Sequence, residues 1–203
     1  MLDSTSKVLL LFIQRSKERL DLRSASRARS EWRSVVTQEE LVKALIYESE
    51  TGKFFRRLRD GSRGKEVGRR KDRFGRYCIK LEGRDLRAHR IAFLYVHGWL
   101  PDLIDHVNGD ASDNRIANLR AASVSQNAMN RVRRSDNGGR FKGVYRDARR
   151  GKFFARITVQ GKRRVIGGFD SDVEAAYRYD VQSLELHGPY GRRNFLPLVQ
   201  HEI

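Results

Sequence analysis

Cysteine occurs only once in this 203-residue chain, at Cys78. A single thiol excludes an intrachain disulfide and a four-cysteine zinc site, and it suits a reducing cytoplasm. Long apolar runs are missing too. The longest, Val8 to Ile13, falls far short of the roughly 20 residues that span a bilayer, so no membrane segment is expected. That run follows Lys7, as in a secretory leader. Arg15, Lys17, Glu18 and Arg19 come straight after it without a small-residue cleavage site, so export is not expected either. Acidic residues are the third scarcity: 25 Asp plus Glu face 42 Lys plus Arg, a formal net charge of +17. Such an excess implies a polyanionic partner. Nucleic acid is favoured over an anionic membrane surface, because neutralising phosphates releases condensed counterions and gives sequence-independent affinity.

The length allows one ordinary domain or two small ones. Residues 1–35 are rich in Ser and Arg and show no sustained period; they read as a poorly ordered basic extension, with a short helix over 6–20 as the one element they could form. Order is expected from Thr37. Thr37 and Glu40 have capping-box spacing, and Leu41, Val42, Leu45 and Ile46 recur at helical intervals, predicting a helix to about Tyr47. Lys53–Arg57 and Arg76–Leu81 read as strands joined by a Gly/Arg-rich loop. From Arg56 to Arg90 there are 14 Lys/Arg against 5 Asp/Glu, interleaved with Phe74 and Tyr77, which favours phosphate contact over a merely solvated face. Ala88–His97 reads as a second helix stopped by Gly98, and Ser123 with Gln126 caps a third that carries Asn127 and Asn130. Residues 131–139 are basic, glycine-punctuated and linker-like.

Between the second and third helices lies the segment IDHVNGDASDNRIANLR, residues 104–120. It reads as strand, turn-rich loop, extended segment and helix, an arrangement able to gather a carboxylate, an imidazole and an amide. Those are the groups that phosphodiester hydrolysis needs: oxygen ligands for a hard divalent cation and a base of near-neutral pKa. The bland alternative is an Asx-rich surface loop with a solvated histidine. His106 is followed twelve residues later by Asn118 and twenty-one later by Asn127. In this spacing the segment resembles the HNH (ββα-metal) endonucleases, especially homing-type members of phage origin. The resemblance covers about residues 37–131, and it implies roles. His106 would be the catalytic base, Asn118 would brace its loop, and Asp105 and Asn127 would ligate one divalent ion, Mg2+ or alternatively Mn2+. Asn114 and Asn130 are the second candidates for the bracing and ligating asparagines. Adjacent Asp105 and His106 would face opposite sides of a regular strand, so the strand must end or kink there.

From Arg140 the pattern changes to three short strands, FKGVYRD, GKFFARITVQ and KRRVIGGF, and a helix capped by Ser171 and Glu174. In the middle strand Phe153, Ala155 and Ile157 are expected on one side, and Val173, Ala176, Tyr177 and Leu184 of the helix are expected to cover it. The stretch resembles the APETALA2/ethylene-response-factor DNA-binding domain through KGVYRD, GKFFARI, IGGFDSDVEAAYRYD and NFLP. That resemblance implies a sheet laid on double-stranded DNA, with contacts from Lys142, Arg146, Arg150, Lys152, Arg156 and Arg163. Arg150 and Val165 stand where the plant factors have tryptophan, and Arg156 where they have glutamate, so their target sequence does not carry over.

The expected fold is α+β: an HNH unit over 36–130, a linker over 131–139, a small three-stranded antiparallel sheet packed on one helix over 140–197, and a tail over 198–203. The expected activity is that of a metal-dependent DNA endonuclease whose C-terminal sheet acts as a tether. A monomer that nicks one strand is the simplest case, and the host cytoplasm is the expected location if a phage encodes it. A catalytically inactive DNA-binding transcriptional regulator remains the alternative.

Overall fold

In the computed structural model, which describes residues 36–131 and 140–195, the first helix, α1 (Gln38–Ala44), stops three residues before the expected end. Leu45, Ile46 and Tyr47 are β-prone, and they continue as β1 (Leu45–Glu48), which pairs antiparallel with β2 (Lys53–Arg57). Cross-strand partners supply what helical propensity offered less well. The expected Gly/Arg-rich loop is also largely strand: β3 (Arg63–Val67) adds to β2, while β4 (Arg70–Lys71), β5 (Tyr77–Leu81) and β6 (Arg84–Arg87) form a second three-stranded sheet. The basic extension 1–35 with its 6–20 helix, nearly all of the linker, and the tail 198–203 lie outside the described residues.

Helix α2 (Ala88–His97) ends at Gly98, whose N–H donates to the Leu94 carbonyl. Its buried Ile91, Ala92, Phe93 and Leu94 share a core with Leu41, Leu45, Phe54, Ile79 and Leu86 from α1 and the two sheets. A two-stranded ribbon follows, β7 (Ile104–His106) with β8 (Leu119–Ala121), entered through a 3-10 turn at Ile116–Asn118. Helix α3 (Val124–Met129) begins in a complete capping box: Ser123 accepts from Gln126 N–H, and the Gln126 side chain accepts from Ser123 N–H. The β1–β2 turn is locked against the β7–β8 loop. Tyr47 Oη donates to the Asn114 carbonyl at 2.7 Å, and a Cβ on Gly52, whose φ is +70°, would sit 2.6 Å from Arg115 N.

The C-terminal part is a sheet of β9 (Val144–Asp147), β10 (Lys152–Val159) and β11 (Lys162–Phe169) in the order β11-β10-β9, crossed by α4 (Asp172–His187). Ser171 caps α4 by accepting from Val173 and Glu174 N–H. Of the four residues expected to cover the sheet only Ala176 does so. Ala175, Ala176, Tyr179, Asp180 and Ser183 face inward, whereas Val173, Tyr177 and Leu184 are exposed. Small side chains let the helix approach closely: at Gly143 (φ +77°) a Cβ would lie 2.2 Å from the Tyr179 ring. The fold is thus α+β with small antiparallel sheets, and by its contacts the chain from Gln38 onward is one unit. Among the described residues no helix is long and apolar enough to cross a membrane.

Candidate active site

Strand β7 carries Asp105 and His106, which are 5% and 8% exposed. The ribbon register sets Asp105 opposite Arg120 and His106 opposite Leu119. Arg120 donates from Nε (2.9 Å) and Nη2 (2.6 Å) to Asp105 Oδ2. Asn130 closes α3, and its Nδ2 lies 3.0 Å from each Asp105 oxygen and 2.7 Å from the His106 carbonyl. The His106 ring goes the other way, meeting His89 of α2 edge-on with centroids 5.2 Å apart. The strand ends there, since Gly109 N–H donates back to the His106 carbonyl. Alternation along the strand therefore holds to its last residue: carboxylate and imidazole leave on different sides, bridged by Asn130.

Asn118 pins the loop that follows His106. Its Oδ1 accepts from Asn108 N–H, its Nδ2 donates to the Asp113 carbonyl, and its own carbonyl accepts from Val107 N–H, each at 2.9 Å. Asp113 is held in turn by the Arg115 guanidinium and Asn108 Nδ2. Asn127 is half-buried on α3, and the amide that touches Asp105 belongs to Asn130, one turn later.

Burial pushes the His106 pKa below the ordinary imidazole value and Arg76 adds to this, while neighbouring Asn114, Asp105 and Asp113 oppose it. His89 is pulled down to about 3, first by burial and then by His106, Arg76, Arg90 and Arg87. Both rings are accordingly neutral at neutral pH. His106 Nε2, Asn114 Oδ1 and Asn130 Oδ1 are buried without a hydrogen-bond partner. Among the described residues no three His, Cys, Asp or Glu side chains converge, so the carboxylate would have to be supplemented by amide and imidazole. A divalent cation would draw here on the Asp105 carboxylate and the unsatisfied amide oxygen of Asn130 beside it, with the His106 nitrogen, on the other side of the strand, left to take a proton.

The six basic residues expected to meet DNA are divided by the sheet. Arg156 and Arg163 share the outer face, since Arg156 pairs with Val165 and Thr158 with Arg163. Tyr145 stacks on Phe154 on this face, and Arg156 lies 5.3 Å over the Tyr145 ring. Exposed Arg150 sits in the β9–β10 turn over Phe154, and Lys152 is ion-paired with Asp170. Arg146 differs: its register partner is Phe153, which packs toward the helix, so Arg146 leaves by the other side. Lys142 also differs. It is half-buried with Nζ donating to the Met129 carbonyl, because the chain folds back on α3, and burial lowers its pKa to about 8.

Residues 86–129 match the HNH endonuclease family model. The chain is also 26% identical, over 121 residues, to an uncharacterized HNH endonuclease of Acanthamoeba polyphaga mimivirus. That match takes in 58% of this chain and 62% of the viral protein, so this chain spans under two thirds of its relative. A solved structure described as DNA binding and cleavage by the HNH homing endonuclease I-HmuI aligns over 76% of this chain and 94% of its own, at 16% identity and a TM-score of 0.35. Within the segment that matches the family model, sequence reasoning passed over Arg120. A clue to it existed: a short ribbon running back from Asp105 puts an arginine two residues beyond Asn118 directly across from it.

Proposed function

We propose that this chain is a metal-dependent DNA endonuclease of the homing-type HNH class, positioned on double-stranded DNA by the outer face of its C-terminal sheet. One observation carries the reading. In a segment matching HNH endonucleases, a buried, neutral imidazole with an unpartnered Nε2 adjoins a carboxylate clamped in place. His106, protonated at Nδ1, takes a proton at Nε2 from the attacking water. Asp105 and Asn127 hold one divalent ion, Mg2+ or Mn2+, through oxygen, and Asn130 keeps the carboxylate from turning. When bound, such an ion offsets negative charge on the scissile phosphate and the leaving 3′ oxygen. Asn118 keeps the loop after His106 in register. Arg150, Arg156 and Arg163 contact DNA, with Lys152 and Arg146 at the margins.

A catalytically inactive DNA-binding regulator is favoured by one observation, that Arg120 already neutralises Asp105. Incubating supercoiled plasmid with and without Mg2+ or Mn2+ separates the two. The nuclease reading expects nicked circles that require the ion, and no cleavage by His106→Ala despite unchanged DNA affinity. Plasmid that is shifted but stays supercoiled under both ions overturns it.

A further inference from the structure

The segment after α4 does more than end the sheet module. Arg120 Nη1 donates to the Pro189 carbonyl at 2.8 Å, and its guanidinium lies 4.2 Å from the centre of the Tyr190 ring. Tyr190 Oη donates to the Ala121 carbonyl at 2.9 Å. Arg192 reaches the Asn108 carbonyl with Nη1, and its N–H donates to the Met129 carbonyl at 3.2 Å. Lys142, from the start of the module, donates to that same carbonyl. The strand bearing Arg120, the loop after His106 and the end of α3 beside Asn130 are thus each bonded to residues of the 189–192 segment, and the end of α3 to Lys142 as well.

We propose that Arg120 is a positioning residue set by the C-terminal module, with Pro189 and Tyr190 fixing the guanidinium that orients the Asp105 carboxylate for its cation. The proposal rests on the nuclease reading and extends it to residues outside the HNH segment. Arginine has five N–H donors in a rigid fork. Here Nη1 donates to the Pro189 carbonyl and Tyr190 covers one face, while Nε and Nη2 both donate to Oδ2. Oδ1 is left with the Asn130 amide alone and is the less encumbered oxygen. The Arg120 and Asp105 side chains are 17% and 6% exposed, so water does little to reorient the pair. Hydrogen-bond partners behind a metal ligand typically matter by about 10- to 100-fold in metal affinity or activity. Here such a partner is itself held by the part of the chain expected to meet DNA.

The test uses the full chain and Mn2+ as the probe, with plasmid nicking, DNA affinity without divalent ions, Mn2+ binding by calorimetry, and melting temperature as readouts. Tyr190→Ala removes the ring beneath Arg120 and the hydroxyl bond to the Ala121 carbonyl. It is expected to lower kcat and Mn2+ affinity by about 10- to 100-fold, with DNA affinity and KM within about twofold, while Tyr190→Phe keeps most of both. Adding Arg120→Lys to Tyr190→Ala should cost little beyond either alone, as for residues acting through one contact. Should Tyr190→Ala not fold, Arg120→Lys alone, which keeps the charge but not the fork, is expected to show the same joint loss. A folded Tyr190→Ala with wild-type kcat and Mn2+ affinity, or fully multiplicative defects, overturns the proposal. A wild-type chain that binds DNA but neither cuts it nor takes up Mn2+ overturns the nuclease reading and this inference with it. Wild-type cutting with an unaffected Tyr190→Ala overturns the inference alone.

Discussion

Acidification tests the pair of imidazoles at the centre of the site. His89 is 6% exposed and its Nδ1 has no hydrogen-bond partner. Burial, followed by His106 and three arginines, lowers its pKa from 6.5 to about 3. A base with a depressed folded pKa is protonated first in the unfolded chain. Its contribution to stability is therefore complete above about pH 6.5 and lost as the pH falls from there toward 3. With those two values, the loss from this single group between pH 7 and pH 5 comes to about 2 kcal/mol. For a chain of this size that is roughly 4–8 °C in melting temperature. His106, lowered in the same direction, adds to the total. The discriminating measurement is urea or thermal unfolding at both pH values for the wild type and for His89→Leu, which occupies similar volume and cannot titrate. The variant should lose about 2 kcal/mol less than the wild type on acidification. Parallel losses would refute a buried neutral His89.

Three further outcomes are expected. Asn118→Ala removes both side-chain bonds that hold the loop after His106, which should cost about 1–3 kcal/mol and depress nicking; an unfolding curve superimposable on the wild type would show that the loop holds itself. Arg193 is 7% exposed and its three guanidinium nitrogens have no hydrogen-bond partner, so Arg193→Leu should raise the melting temperature, and a lower one would contradict this. Arg156→Ala with Arg163→Ala should weaken DNA binding and flatten the dependence of log affinity on log salt by about one per lost phosphate contact; an unchanged slope would move the interface off the outer face.

Some of this was legible in the sequence and some could not have been. Helices α2, α3 and α4 were written in caps and stops, at Gly98, Ser123 and Ser171, because terminal N–H and C=O groups demand particular residue types. The bracing of the loop after His106 by Asn118 was legible from their spacing, whereas the amide on Asp105 belongs to Asn130, the second candidate, and not to Asn127. Strands β3, β4 and β6 were not, since their ladders are made of backbone and the charged side chains on them carry no apolar alternation. The buried stripe of α4 was largely misread for a related reason. Ala176 was read correctly, but close packing also selected Ala175 and Ser183, whereas the larger Val173, Tyr177 and Leu184 drew the eye to the exposed side.

The junction between the two halves was the least legible part, because nearly every bond in it ends on a backbone carbonyl: those of Asn108, Ala121, Met129 and Pro189. Carbonyls are the same at every position, so no residue pattern announces them. The consequence bears on how recognition and cutting are to be separated. A tether can be cut away and leave the chemistry intact, and on that view removing residues 140–203 would only broaden site choice. Bonded as it is, the module cannot be removed without taking Pro189 and Tyr190 from Arg120, Arg192 from the loop after His106, and two donors from the end of α3. Truncation therefore confounds loss of affinity with loss of geometry at Asp105. Substitutions on the outer sheet face, at Arg156 and Arg163, reach the proposed DNA contacts without touching the junction, and Tyr190→Ala reaches the junction without touching that face. Only the two kinds of variant measured side by side can assign a lost activity to one cause or the other.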